Sequence, residues 1–244
     1  MKWSKRAAEN GDFGAQNNLG YMYASGTGVE KDDKVAAEWY EKAAKGGLLR
    51  AQRVLASFYE TGRGVEVDDA KAANWYRRAA ESGDKIAAAK LGEMFASSRA
   101  EYADENDAAV WIALAAEAGI TAAFDWLKEK AANGSAPARA RLATLYESGK
   151  GEADDASKAM DLFQTAAEDG NAFAQLRLGK KYATGEGVEQ DYISAHKWVN
   201  LAAIGGNAEA IKLRDTFSKL MTREQIAQAQ KLAREWIAES RAKK

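Results

Sequence analysis

Tryptophan, leucine and glycine recur along this chain at a single interval. Trp39, Trp75 and Trp111 are 36 residues apart, as are Leu19, Leu55 and Leu91, and then Gly47, Gly83 and Gly119. A period of this length marks a chain of stacked units, each too small to bury its own apolar face alone. The same interval joins Ala138, Ala174 and Ala210, then Tyr146 and Tyr182, and Gly170 and Gly206. The two blocks are out of phase, because Ala87 and Ala138, which open successive units, lie 51 residues apart, one period plus 15. Fifteen residues hold one more helix.

The unit itself reads as a helix hairpin. Ala51, Leu55 and Tyr59 follow i, i+4, i+8 spacing, and Ala72, Trp75, Tyr76, Ala79, Ala80 and Gly83 follow i, i+3, i+4, i+7 spacing, so each set is one stripe of an amphipathic helix. Gly62 and Gly64 between them suit left-handed backbone at a helix end, Asp68 suits an N-cap, and Val65, with Val29 and Val188, is expected to plug the space between the helices. With 53 Ala and one Pro in 244 residues, helix is favoured nearly everywhere and a β-sandwich or barrel is excluded. The expected class is all-α, an α/α superhelical solenoid of about a dozen helices, five full units plus partial ends, with a right-handed superhelix.

Leu19-Gly20, Tyr23, Gly26-Thr27-Gly28-Val29, Asp32, Trp39-Tyr40, Ala43-Ala44 and Gly47 resemble the Sel1-like repeat, a relative of the tetratricopeptide repeat. The pattern recurs at Leu178-Gly179, Tyr182, Gly185-Glu186-Gly187-Val188, Asp191, Trp198 and Ala202-Ala203, and the resemblance covers about residues 3 to 210. It implies adaptor roles in assembling protein complexes, and bacterial members that are often exported or membrane-associated. An exported location is therefore favoured over a cytoplasmic one, although the residues themselves fix no compartment.

Departures from the pattern mark where packing should change. The third unit has Ser97-Ser98-Arg99-Ala100 in place of the glycine loop, and the fourth has Glu152 for the plug valine and Leu162-Phe163 for Trp-Tyr. The additional helix, roughly Thr121 to Ala132, carries Trp126 and Gly134 at second-helix spacing. It would follow another second-type helix, Asp107 to Ala118, and change the superhelix direction. Three segments are expected: an N-terminal lobe over 1–119, a junction helix over 120–134, and a C-terminal lobe with a capping helix over 135–244. Trp3, Ala7-Ala8 and Gly11 match a second helix, as in a fragment of a longer array, and would mark a site of association. Thr222-Arg223-Glu224-Gln225 has capping-box spacing before a last apolar stripe, from Ile226 to Ile237, that would seal the final repeat.

Composition removes several function classes. Lys plus Arg, 35, balances Asp plus Glu, 36, so no field of one sign draws nucleic acid or anionic lipid. There is no Cys and one His, which leaves no thiolate or multi-histidine metal site, and no metal or cofactor is expected. No run approaches the roughly 20 apolar residues of a membrane span. The pairs Asp32-Asp33, Asp68-Asp69 and Asp154-Asp155 precede helices and read as caps rather than acid and base. The Gly-x-Gly loops lack the preceding strand and following Lys-Ser or Lys-Thr of a phosphate loop, Trp and Tyr read as core rather than a base-stacking platform, and His196 reads as a surface helix residue.

What the repeat leaves undictated is the outward side of each first helix, which in tetratricopeptide-like arrays lines the concave surface. These positions hold Asn17, Asn18 and Tyr21, then Arg53, Val54 and Ser57, then Ala89, Lys90 and Glu93. Further on they hold Ala140, Arg141 and Thr144, then Leu176, Arg177 and Lys180 with Lys181 beside them, so the groove should turn basic toward the C-terminal half. The candidate partner-binding set is Asn17, Asn18, Tyr21, Arg53, Ser57, Lys90, Glu93, Arg141, Arg177 and Lys180. The leading expectation is a non-enzymatic scaffold binding a protein or peptide segment, in the second lobe an acidic one or a C-terminal carboxylate. The alternative is a carbohydrate or cell-wall glycan module using Tyr21, Asn17 and Asn18, and an enzyme comes last for want of candidate groups.

Overall fold

A computed structural model describes residues 2–150 and 156–242. Among them the regular structure is entirely helical. The helices are α1 (Lys2–Glu9), α2 (Phe13–Ser25), α3 (Asp33–Lys45), α4 (Leu49–Thr61), α5 (Asp69–Glu81), α6 (Lys85–Ala96), α7 (Glu105–Glu117), α8 (Thr121–Ala132), α9 (Ala136–Glu147), α10 (Ala156–Glu168), α11 (Ala172–Thr184), α12 (Tyr192–Ile204), α13 (Ala208–Ser218) and α14 (Arg223–Ala242). The described residues form two compact units that divide after Ala123, within α8.

In the first unit, α2 packs on α3, α4 on α5 and α6 on α7, and α1 packs on α2, α3 on α4 and α5 on α6. The caps explain why the chain turns where it does. Asp32, Asp68 and Asp104 each accept hydrogen bonds from backbone amides of the second helix they precede, and Asp12 and Asp84 do the same for first helices. The first Asp of each described pair is thus a cap. Asp154 and Asp155 lie outside the described residues. Gly62 ends α4 at φ +71°, and two residues on Gly64, at φ +68°, lies so close to the previous unit that a Cβ would come 2.1 Å from the carbonyl oxygen of Asp33. The third turn manages without glycine: Ser98 takes the left-handed conformation, φ +56°.

Of the Trp-Tyr pair, tyrosine goes inside. Tyr40 and Tyr76 are buried while Trp39 and Trp75 are half-buried, with Lys42 over the Trp39 ring and Arg78 over that of Trp75. Trp75 nevertheless packs against the core cluster from its rim, and Trp126 and Trp198 are buried. Val65 packs against the apolar cluster of Leu55, Phe58 and Tyr40, as a plug should.

The second unit pairs α9 with α10 and α11 with α12, and adds α13 and α14, both against α12. Phe163 is fully buried at the position that Tyr40, Tyr76, Ile112 and Val199 hold in the other units. Thr222 and Gln225 form the reciprocal capping box, with Thr222 N donating to Gln225 Oε1 at 2.9 Å and Gln225 N to Thr222 Oγ1 at 3.2 Å. Downstream, Ala233 enters the core, with Trp236 and Ile237 beside it.

α8 carries two registers at once. Its buried Ala123 and Leu127 continue the first-helix series of Ala87 and Leu91 at the full 36-residue interval. Its buried Trp126 stands to Gly134 as Trp111 stands to Gly119. The helix starts as the first helix of a unit and ends as the second. That is more than the second-helix character expected of it.

Candidate interaction surface

The outward positions of the first helices do not form a bare charged face. In the first unit Tyr21 is 54% exposed and Asn18, one turn before it, is exposed too. Asn17 is enclosed, at 9% exposure, and its Oδ1 has no hydrogen-bond partner. Arg53 is half-buried and donates from Nε to Asp84 Oδ2 at 2.8 Å, while the other oxygen of Asp84 caps α6. Ser57 is half-buried, and Lys90 pairs at 2.9 Å with Glu93, which holds its ammonium above the ordinary lysine range.

In the second unit the basic residues are already engaged. The Arg141 guanidinium lies 3.9 Å from the centre of the Phe173 ring. Arg177 and Lys181 both close on Glu147, and Lys181, only 8% exposed, reaches Glu186 at 3.2 Å as well. Lys180 pairs with Glu209 at 2.7 Å, where both side chains stay substantially exposed. The expected basic groove is therefore largely neutralised from within. Residues about 30 apart on successive first helices face each other, so these charges join one repeat to the next.

The turns use the same device. Arg63 donates to Asp33 Oδ1 at 2.8 Å, and Arg99 donates to Asp69 Oδ1 at 2.6 Å and to Glu60 Oε1 at 2.9 Å. Arg63 holds the Asp33 carboxyl below its ordinary value. In the first two Asp pairs, then, the first carboxylate caps its helix and the second receives an arginine from the following turn.

A further joint escaped the reading of the sequence. The residue after the first-helix alanine reaches back eight positions to the previous helix: Gln16 Nε2 to the carbonyl of Ala8 at 3.0 Å, Gln52 to Ala44 at 3.2 Å, Gln175 to Ala167 at 3.1 Å, and Arg139 Nε to Ala131 at 3.1 Å. The signal was present, since Gln16 and Gln52 share the period, as do Arg139 and Gln175.

His196 is not on the surface. It is 1% exposed, with Nε2 3.1 Å from Ser218 Oγ and Nδ1 unpartnered. The Ser218 hydroxyl donates to the Arg214 carbonyl, so the imidazole Nε2–H donates to Ser218. Burial pushes its pKa down, with nearby Arg214 acting in the same direction and Asp215 against. Among the described residues no His, Asp or Glu cluster could hold a metal ion, and no helix is long and apolar enough to cross a membrane.

The Sel1 repeat family model matches residues 1–12, 14–48, 49–84, 85–120, 136–171 and 172–207. The chain belongs to the Sel1 repeat family. The unmatched stretch between the fifth and fourth matches is the helix of double register, α8, and its following turn. Among solved structures, this Sel1 repeat chain is similar to c5321, a protective antigen present in uropathogenic Escherichia coli strains that displays an SLR fold. The identity is 28% over 99% of this chain and 65% of that one, with a TM-score of 0.46. It therefore spans 65% of that protein's length. A Sel1 repeat protein from Oxalobacter formigenes is 32% identical over 96% of this chain and 89% of that one, at a TM-score of 0.41. Immunity protein Pa5087 from Pseudomonas aeruginosa is 22% identical over 93% and 83%, at a TM-score of 0.35. No curated protein matches. Sel1 repeat proteins generally mediate protein–protein interaction, and the family is typically non-catalytic.

Proposed function

We propose that this Sel1 repeat protein is a non-enzymatic scaffold that binds a segment of a protein partner along the outward side of its first helices. The observation that carries the reading is Tyr21. Its counterparts in the other units are Ser57, Glu93, Thr144 and Lys180, so the repeat has no need of an aromatic ring there, yet one stands more than half exposed with Asn18 a turn away. A rigid aromatic beside an amide that can donate and accept suits an extended peptide backbone. In the second unit the partner's carboxylates would compete with Glu209 for Lys180, an exposed pair that costs little to open. Arg177 and Arg53 contribute by holding neighbouring repeats in register, and Asn17 by position beneath Tyr21.

The test is photocrosslinking from a benzophenone side chain placed at Tyr21, with capture repeated for Tyr21→Ala and Asn18→Ala. The expected result is a defined protein crosslinked from position 21, whose capture by the chain without the crosslinker is lost in both variants, with thermal unfolding unchanged. Capture that is indifferent to both substitutions overturns the assignment of this face.

A further inference from the structure

The second unit holds a cleft of about 470 Å³ on a side that the first helices do not line. One wall is Trp198 of α12, the residue at the repeat's tryptophan position, and the other is Trp236 of α14, which lies outside the repeats. Three carboxylates, Glu168, Asp169 and Glu239, and one ammonium, Lys197, complete it.

The charges are unequal in their engagement. Asp169 is neutralised by Arg139, at 2.5 Å. Glu168 takes only the neutral amide of Gln164, at 3.1 Å, and among the described residues neither it nor Glu239 has a cation within ion-pair distance. Lys197 lies 4.3 Å from the Trp198 ring centre. Burial pushes its pKa down, while the fields of Glu168 and Glu239 push the other way. Lys197 thus occupies one aromatic face. Among the described residues no cation lies over the other ring, Trp236, and Glu239 follows it by three residues, on the same side of α14.

An aromatic face next to an unpaired carboxylate is half of a cation site. A guanidinium suits it better than an ammonium, because it stacks flat on an indole while its edge forks to a carboxylate. We infer that this cleft receives an arginine side chain of a protein partner, between Trp236 and the carboxylates of Glu239 and Glu168. The inference rests on the scaffold reading only in that the ligand is a protein side chain; the surface is a separate one from that of Tyr21.

The experiment uses the full chain with labelled tryptophan indoles, followed by NMR while N-acetyl-arginine amide is added, with the lysine and glutamine analogues as comparisons. The Trp236 indole signal, assigned by its loss in Trp236→Phe, should shift saturably with the arginine probe, less with lysine and not with glutamine. Glu239→Gln combined with Glu168→Gln should weaken binding at least about threefold, as loss of charge-assisted hydrogen bonds requires. Lys197→Met should tighten it by a similar factor, because a competing cation leaves; a merely structural cleft gives no such gain. Equal shifts with glutamine, no saturation, or saturation by a neutral disaccharide in place of arginine overturns the inference. Because Tyr21→Ala should leave the titration untouched, failure here and failure of the first-helix face are told apart.

Discussion

Arg177 on α11 faces Glu147 on α9 across a separation of 30 residues, and Lys181, one turn on, closes on the same carboxylate. Glu147 and Lys181 are the least exposed members of the group, with side-chain exposures of 14% and 10%. An ion pair in such a place depends on both partners, because the survivor of a deletion is left charged and desolvated. Glu147→Gln should therefore destabilise the second unit by roughly 3 kcal/mol. Lys180→Ala, which opens only the exposed pair with Glu209, should stay within about 0.5 kcal/mol. Chemical denaturation of the two variants checks the contrast, and equal costs would show that the ladder has no structural role.

Asp84 performs two tasks with its two oxygens. Asp84→Asn keeps a capping acceptor and weakens the pair with Arg53, so it should cost less than about 1 kcal/mol. Asp84→Ala removes both and should cost about 1 to 2 kcal/mol. If thermal unfolding places Asn and Ala together, the cap contributes nothing measurable.

His196 makes stability depend on pH. Its folded-state pKa lies below the ordinary value of 6.5, so as pH falls through that value the unfolded chain binds a proton that the buried ring refuses. This contribution to stability is complete above about pH 6.5, declines as pH drops toward the folded-state value, and levels off below it. His196→Gln should remove that component from the difference between denaturation at pH 8 and at pH 5. An unchanged pH dependence would mean that the ring binds its proton as readily in the fold as in the unfolded chain.

Gly92 sits where α6 crosses α7, and a Cβ there would come 2.1 Å from the carbonyl oxygen of Trp111. Backbone cannot yield as a side-chain tip can, so Gly92→Ala should cost about 1 to 3 kcal/mol through overpacking. The second repeat has Ala56 at the same position, fully buried. Ala56→Gly should thus cost stability as well, by leaving a void, and calorimetry that finds either change neutral would argue against close packing at this crossing.

The hairpins, their N-caps and the capping box were legible because each depends on residues within one period: Asp68 and α5, Gly62 and the end of α4, Thr222 and Gln225. What escaped involves neighbours a repeat away. Asn17 and His196 were placed outside because a helix stripe shows one buried side, whereas a stacked hairpin has a second side that meets the next unit. Arg53 and Arg177 read as free charges because their partners lie some 30 residues along the chain, beyond any local pattern. Trp236 and Glu239 stand outside the repeat altogether, so their meeting with Trp198 and Glu168 had no signal in the period.

The backward reach of Gln16, Gln52 and Gln175 has an uneven grammar. Each joint is specified by one side chain, while the other half is a peptide carbonyl that every amino acid supplies. A repeat can therefore be copied, moved or joined to a new neighbour and bring its fastening with it, needing no matched change in the unit it lands on. The same joint made by Arg139 shows that a different side chain of similar reach serves equally. Arrays fastened this way can change length by whole units, and their outward residues can diverge while the seams stay common.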